Sequence, residues 1–463
     1  MEKTNRGSFK GSIGFVLAAA GSAVGLGNIW RFPYLAARDG GGIFLLVYLI
    51  LAITFGFTML TSETAIGRKT KQSPLTAYSK LKKGWGWLGI FASIVPFMIM
   101  PYYCVIGGWV LKYFIAFLTG QGIKTAEDTY FTGFITAQYE PIVMLLIFLL
   151  VCAVIIYVGV EGGIERFSKI IMPVLLVLVI GIAIYSLTLK STNDAGVKVT
   201  GLQGLKVLFI PNFKGMTFKS LGMVIMDAMG QLFYSLSVAM GIMIAYGSYV
   251  KDEDNLVKAV NQIEIFDTAV AFLAGIMIIP AVYVFMGTDG MAAGPSLMFV
   301  ALPKIFVAMG PIGNIVGTLF FAMVLFAAIT SAISILEAIV SSLIDRFGMS
   351  RQKATIIESI LALIIAVIVC LGYNVLYFEV KLPNGSVAQI LDIMDYISNN
   401  VLMPVVAIGT CILVGWIVKP KTVIEELTKN GERFGRKPLY IVMIKFISPL
   451  LLVILLLMSL GIL

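Results

Sequence analysis

Long apolar stretches separated by short polar segments run along the whole chain. Each holds about 20 or more residues with few charges, which is the length a helix needs to cross a bilayer. Eleven spans are predicted, at about 12–37, 42–67, 86–118, 140–159, 164–189, 220–249, 257–287, 312–344, 354–374, 388–418 and 438–462. The pattern therefore predicts an all-α polytopic membrane protein.

Composition supports this prediction and orients the chain. Hydrophobic residues make up 59% of it and charged residues 13%, with a mean hydropathy of +0.97, values that a soluble domain does not have. With the N-terminus in the cytoplasm, most of the 34 Lys and Arg fall on the inner side, as the positive-inside rule requires. The net charge of +9 thus reflects topology rather than nucleic-acid binding. A single domain over 1–463 without a cleavable signal peptide is expected.

Residue types that commonly carry catalysis are scarce. The chain has no histidine, which excludes His-based zinc sites, His proton relays and Ser-His-Asp chemistry. Its four cysteines lie inside apolar spans without paired spacing, so packing is their favoured role. An intramembrane protease using Asp227 and Asp267 would lack the GxGD and HExxH motifs. An enzyme is therefore not expected.

The first span is predicted to break in its middle. Gly21, Gly25 and Gly27 lie at its centre, followed by Asn28 and Arg31, and glycines at bilayer depth weaken a helix. Unwound backbone inside a membrane is tolerated only where protein or a polar cavity satisfies its N–H and C=O groups. The break therefore indicates a binding site near the bilayer midplane.

The sixth span contains a second break. Residues 238–241 (VAMG) repeat the order Val, small, apolar, Gly of residues 24–27 (VGLG). The two spans cross in opposite directions, as an inverted repeat of five helices requires. Glu63 in the second span needs hydrogen-bond donors, and the unwound amides of spans one and six are expected to supply them. The alternative is that Glu63 lies in the inner headgroup region.

The connections between spans carry fewer signals. Gly163 and Pro173 flank the inner end of the fifth span, and two interpretations stay open: they end one helix and begin another, or they mark a segment able to unwind. Longer outer connections are predicted at 190–219, 288–311 and 374–387, the second as a partly helical cap.

Five motifs distributed over the chain belong together. They are GSAVGLGNIWRFP at 21–33, Tyr102-Tyr103, GIERFSK at 163–169, GQLFYSLS at 230–237 and ITSAIS at 329–334. Together they resemble the neurotransmitter:sodium symporter family, and eleven spans rather than twelve are typical of its bacterial branch. The resemblance implies a leucine-transporter-like fold with a five-plus-five inverted repeat, here about 12–189 and 220–418, and an extra helix at 438–462.

The resemblance also implies a function. It implies a symporter that imports an L-amino acid with two sodium ions by alternating access, in the plasma membrane of a bacterium. Two ions crossing 100 mV contribute ~4.6 kcal/mol, which supports roughly thousandfold accumulation. A gated channel or receptor of similar topology is the alternative, although charge rings and repeated filter sequences are absent. Substrate and membrane lipid are the expected partners, and the chain is expected to be a monomer or a weak dimer.

Both sodium sites are implied by the resemblance. The first would use the carbonyl of Ala23, the side chains of Asn28, Ser235 and Asp267, and a substrate carboxylate oxygen. The second would use the carbonyls of Gly21, Val24 and Ala327 and the hydroxyls of Thr330 and Ser331. Asp267 departs from the family, in which Asn is common, and Ser235 replaces a common Thr. Another interpretation is that Thr330 and Ser331 bond their own helix.

Chloride, which some animal members of the family require, is not expected here. The implied anion site uses a Ser of span seven, and the corresponding position, four residues after Asp267, is Ala271. Asp267 already places a negative charge beside the first sodium site and would repel a second anion.

The substrate site is implied to enclose a zwitterion. Its carboxylate would meet the amides of Leu26 and Gly27 and the hydroxyl of Tyr103, and its ammonium the carbonyls of Ala23, Tyr234 and Ser235, with Ser237 nearby. The implied pocket wall consists of Tyr103, Tyr234, Ser237, Met240, Ser331 and Ile335. Met240 is flexible and replaces the bulkier Phe of some leucine-selecting relatives, so we expect large apolar or aromatic substrates.

Two charged pairs are implied to act as gates. Arg31 and Asp395 form the outer pair, with Asp392 as the alternative acidic partner. Arg6 and Asp345 form the inner pair, with Tyr249 beside them. Surface ion pairs contribute little energy, so these assignments depend on position.

Overall fold

The computed structural model describes residues 7–192, 196–287, 290–291 and 295–463. Within these ranges, nine helices are long and apolar enough to cross a membrane without interruption. They are Gly42–Thr70, Gly86–Leu118, Glu140–Val158, Val160–Thr188, Leu256–Met286, Pro311–Phe347, Arg351–Leu371, Ile390–Ile417 and Lys437–Ser459, which are spans two to five and seven to eleven. The predicted spans agree with these bounds within a few residues.

Spans one and six are broken, as predicted. Span one consists of Ser12–Ala23 and Gly27–Arg38, bent by 53°. Span six consists of Phe218–Ser235 and Ile242–Ser248, and the residues between them are not helical. These two spans complete the predicted set of eleven.

The fifth span remains helical through both residues that left its interpretation open. Gly163 and Pro173 both lie inside Val160–Thr188, and the chain turns before it at Gly159, where φ is 114°. A Cβ on Gly163 would lie 2.0 Å from the carbonyl oxygen of Ile155. Gly163 is thus required for the close approach of spans four and five, and the pair does not divide two helices.

The spans differ in how much of their surface faces protein. In the most apolar part of span eight, 83% of residues are buried, against 33% in span four and 22% in span eleven. Span eight is therefore central, and spans four and eleven lie on the outside of the helix bundle. Spans two and six meet backbone to backbone, since a Cβ on Gly67 would lie 2.1 Å from the carbonyl oxygen of Ile244.

The outer connections are partly ordered. Lys190–Thr192 pairs antiparallel with Lys198–Thr200, and the helix Gly201–Phe209 follows. The predicted cap contains the helical turns Leu297–Ala301 and Leu302–Ala308. The third connection holds a two-stranded hairpin of Val380–Lys381 and Val387–Ala388.

Candidate functional site

The breaks of spans one and six face each other. The hydroxyl oxygens of Ser22 and Ser237 are 3.0 Å apart, and the Ser237 hydroxyl also lies 3.0 Å from the Ser22 carbonyl oxygen. The Gln231 amide donates to the carbonyl oxygen of Gly27 at 3.0 Å. Side chains of span six thus satisfy backbone groups of span one, as unwound segments inside a membrane require.

Glu63 supports the break of span six from span two. Its carboxylate is fully buried, and Oε1 accepts a hydrogen bond from the amide of Ala239 at 2.7 Å. Its Oε2 has no hydrogen-bond partner among the described residues. Glu63 therefore bonds span six but not span one, and its full burial among helices differs from a position in the headgroup region.

A buried cluster of oxygen atoms occupies the place predicted for the first sodium ion. Asp267 Oδ1 accepts hydrogen bonds from Asn28 Nδ2 at 2.8 Å and from Ser235 Oγ at 2.5 Å. The hydroxyl of Tyr48 lies 3.4 Å from Asp267 Oδ2. Sequence reasoning missed Tyr48, although a hydroxyl in the middle of an apolar span is a signal in itself. One carboxylate with neutral oxygens suits a hard monovalent cation.

The residues predicted for the second sodium ion lie where spans one and eight touch. The Ser331 hydroxyl reaches the carbonyl oxygens of Ser22 at 3.1 Å and Gly21 at 3.5 Å. The Thr330 hydroxyl instead bonds its own helix, 3.0 Å from the carbonyl oxygen of Ala327. The alternative interpretation, that both hydroxyls bond their own helix, therefore holds for Thr330 in this conformation but not for Ser331.

A small cavity lies between the two breaks and spans three and eight. Its wall consists of Ser22, Gly25, Gly27, Asn28, Ile99, Tyr103, Tyr234, Ser237, Met240, Ser331 and Ile335. Its volume of about 20 Å³ leaves room for about one water, so the site is contracted in this conformation. The Tyr103 hydroxyl is buried there without a hydrogen-bond partner among the described residues, which is costly unless a ligand supplies one.

The cavity wall contains all six residues predicted for the pocket wall. Ala23, Val24, Leu26 and Ser235 are buried beside the cavity without lining it. The wall residues that sequence reasoning missed or assigned no role in the pocket are Ser22, Gly25, Asn28 and Ile99. Ile99 lies one helical turn before Tyr103, so the i, i+4 spacing could have identified it.

The predicted outer pair is not joined in this conformation. Asp395 accepts hydrogen bonds from the Tyr102 hydroxyl at 3.1 Å and from Asn399 Nδ2 at 2.5 Å. Arg31 has no ion pair with any described residue. It lines an outer cavity of about 210 Å³, and Asn399 lies in the wall of the same cavity. Asp392, the alternative partner, accepts a backbone bond at 3.1 Å at the start of its own helix.

The inner side holds a charged group that sequence reasoning missed. Glu337 accepts a hydrogen bond from the Tyr249 hydroxyl at 2.5 Å and two from Arg351 at 2.6 and 2.9 Å. Asp345 accepts a bond from a backbone amide after span two at 2.6 Å, and Arg6 lies outside the described residues. A carboxylate inside an apolar span, as at Glu337, is the signal that could have found this group.

The two acidic residues of the protease alternative have separate partners. Asp227 is partly exposed and pairs with Arg38 on the outer side. Asp267 is fully buried in the cluster with Asn28 and Ser235. The two carboxylates are therefore engaged in different groups.

Two opposed broken helices around a buried cavity define the architecture of a secondary transporter. A family model described as "Sodium:neurotransmitter symporter family" matches residues 6–134 and 134–462. The chain therefore belongs to this family, whose members are transporters rather than enzymes.

Individual relatives agree with this assignment. The chain is 33% identical over 461 residues to YhdH, an uncharacterised sodium-dependent transporter of Bacillus subtilis, with 97% of each chain covered. It is 25% identical to the sodium- and chloride-dependent GABA transporter 2 of Rattus norvegicus, over 87% of this chain and 71% of that one. The crystal structure of MhsT in complex with L-phenylalanine superimposes with a TM-score of 0.85 at 35% identity, covering 98% of this chain and 100% of that one. The predicted family, the eleven-helix inverted-repeat fold and sodium-dependent transport are thereby confirmed.

Proposed function

We propose that this protein imports a large apolar or aromatic L-amino acid together with sodium by alternating access. The observation that carries the proposal is the cavity between the two breaks. One wall offers the Tyr103 hydroxyl, which has no hydrogen-bond partner among the described residues, beside unwound backbone. The other wall offers Ile99, Met240 and Ile335. A polar end for a zwitterion and an apolar side-chain wall suit such a substrate. MhsT, a similar protein, was solved with L-phenylalanine.

Two sodium ions are proposed to accompany the substrate. The cluster around Asp267 would hold one ion, and the carbonyls of span one with the Ser331 hydroxyl would hold the other. Chloride is not required in this proposal, because Asp267 supplies a fixed negative charge and Ala271 offers no hydroxyl. The chloride dependence named for GABA transporter 2 is therefore not carried over.

Closure of the outer side is proposed to bring Arg31 against Asp395, while the inner side opens where Tyr249 meets Glu337. Glu63 holds the break of span six during this exchange. Asp345 with Arg6 remains the proposed inner pair. We further propose that the protein lies in a bacterial plasma membrane with its N-terminus in the cytoplasm. It would act as a monomer or weak dimer. Its two repeats would be residues 12–189 and 220–418, approximately.

Uptake into proteoliposomes tests the proposal. Purified protein is reconstituted with sodium or potassium outside, and accumulation of labelled leucine, phenylalanine, tyrosine, tryptophan, glycine and alanine is measured. We expect saturable, sodium-dependent accumulation against a gradient, with the four large substrates bound more tightly than glycine and alanine. Flux that only equilibrates would favour a channel, and tighter binding of glycine or alanine would overturn the assigned substrate class.

A further inference from the structure

A depression runs along the outside of spans four and nine. Its apolar part, here called the lipid groove, has a volume of about 330 Å³ and extends from Leu146 to Val158 on span four and from Thr355 to Leu363 on span nine. At one end it meets a polar cavity of about 410 Å³. Val158 lines both parts, so the two adjoin at this side chain.

The lipid groove faces the hydrocarbon of the membrane. Leu150, Val154 and Ile360 along it are 61%, 55% and 53% exposed. Only 33% of the most apolar part of span four and 39% of that of span nine are buried in protein. Because an unfilled groove forfeits dispersion contacts, a flexible apolar chain from the bilayer is the occupant that fits it.

The length of the lipid groove matches one acyl chain. At about 1.5 Å per residue, span four rises about 18 Å between Leu146 and Val158. One leaflet of hydrocarbon is about 15 Å thick, half of the bilayer core. Tyr157, which is 45% exposed, lies at the end next to the polar cavity, where aromatic residues commonly mark the membrane interface. The lipid groove thus runs from the interface to the midplane.

The polar cavity contains one acidic and one basic side chain. Glu161 is 54% exposed and lies 2.8 Å from Lys10 Nζ. Arg351 bonds Glu337 through its two Nη atoms, and its Nε makes no hydrogen bond to the described residues. Arg351 also begins the helix Arg351–Leu371, whose first amides favour an anionic group. The cavity therefore offers complementary charges to a zwitterion.

We propose that this depression binds one phospholipid of the phosphatidylethanolamine class, in the leaflet on the side of the N-terminal residues. One acyl chain fills the lipid groove, the phosphate lies at Arg351 and the first turn of span nine, and the ammonium lies at Glu161. A purely anionic headgroup adds nothing to the pair of Glu161 and Lys10, whereas the ammonium of phosphatidylethanolamine gives Glu161 a second cation. The lipid would lie on the outer surface of spans four and nine, which also pack directly against each other.

Native mass spectrometry of the full chain tests this site. The protein is freed of lipid and incubated in detergent with equal amounts of phosphatidylethanolamine and phosphatidylglycerol. Ala153→Trp and Val154→Trp fill the lipid groove, and Val177→Trp, at a 70% exposed position of span five outside it, is the matched control. We expect wild type and Val177→Trp to retain one phosphatidylethanolamine, and the two groove variants to retain at least tenfold less.

A variant of the cavity that would hold the headgroup tests the choice of lipid, and two results would contradict the site. Glu161→Gln should lower the ratio of retained phosphatidylethanolamine to phosphatidylglycerol by roughly threefold. Melting temperatures identify folded variants, and the exposure of Val154 makes its substitution tolerable if Ala153→Trp does not fold. Equal retention by wild type and the groove variants overturns the site. A dimer mass that the groove variants abolish also overturns it, because a second copy of the chain would then occupy the lipid groove.

Discussion

The two broken spans reach the same cavity by different means. The break of span one is short, and the Gly25 amide at its centre bonds locally. The Gly25 amide lies 3.0 Å from the carbonyl oxygen of Ala23 and 3.4 Å from Asn28 Oδ1. The carbonyl groups of Ser22 and Gly27, on either side of this amide, accept hydrogen bonds from Ser237 and Gln231 of span six.

The break of span six is longer and depends on another helix. Ser237, Ala239 and Gly241 have φ values of 52°, 62° and 74°, and residues other than glycine rarely adopt this conformation. The Ala239 amide finds its acceptor on Glu63, in span two. Strained backbone persists only where its surroundings impose it. Residues 24–27 of span one therefore turn without any positive φ, whereas span six adopts left-handed backbone that a carboxylate of span two holds in place.

Removal of the Glu63 carboxylate should have the largest effect, because the break of span six depends on it. Glu63→Ala leaves the Ala239 amide buried without an acceptor, at a cost of about 1–3 kcal/mol. We expect substrate binding to weaken by roughly 5- to 150-fold, measured by sodium-dependent thermal shift with phenylalanine. Glu63→Gln, which keeps an acceptor oxygen, should recover most of the loss.

Glu358→Ala is the matched control for this prediction. Glu358 is also buried, in the regular helix of span nine, and makes no hydrogen bond to the described residues. Its truncation creates a similar void without stranding an amide, so binding should change little. Equal losses in both alanine variants would show that the carboxylate only fills space.

Sodium-dependent uptake should depend on the negative charge of Asp267, in the cluster that joins the two breaks. Asp267→Asn combined with Ala271→Ser removes the buried carboxylate and adds a hydroxyl at the implied anion position. We expect uptake to fall by about tenfold, from lost attraction for sodium, and the remaining uptake to increase with chloride. Replacing chloride by gluconate should leave wild-type uptake unchanged, and its collapse would require another role for Asp267.

Substitution of two neighbouring hydroxyls of span eight tests whether each of them contributes to the second sodium site. Ser331 bonds carbonyl groups of span one, whereas Thr330 bonds its own helix. Ser331→Ala should raise the sodium concentration for half-maximal uptake by roughly fivefold. Thr330→Ala should raise it by less, because the Thr330 hydroxyl bonds its own helix. Unchanged sodium dependence in both variants would remove these hydroxyls from the second sodium site.

The smallest effect concerns the loop after the inner half of span six. Lys429 and Lys71 lower the pKa of Asp252 to about 2. Because the folded pKa is depressed, these ion pairs stabilise the protein above the unfolded value of about 3.9 and are lost as pH falls towards 2. Asp252→Asn should cost less than about 1 kcal/mol at pH 6, since Asp252 is 66% exposed. Melting curves of variant and wild type should converge near pH 2, and a constant difference would contradict the titration.

The apolar pattern predicts the spans closely because bilayer thickness sets the helix length. Both breaks were also predictable, one from its glycines and one from repetition of that pattern. Tyr48 in the Asp267 cluster was not, since the two residues lie 219 positions apart. Arg351 and Glu337 are only 14 positions apart, but they lie on different helices whose packing brings them together. The preference of the Thr330 hydroxyl for its own helix over span one likewise depends on how spans one and eight pack.

Local chemistry alone thus determines where this chain crosses the membrane and where glycines weaken span one, because helix length and glycine act within a few residues. Tertiary packing decides which oxygens meet. Asp267 becomes a cluster with Asn28 and Ser235 only when spans one, six and seven converge. A polar group in a membrane interior must find a partner inside the protein, and when several spans carry candidates, only their packing selects the one that is bonded.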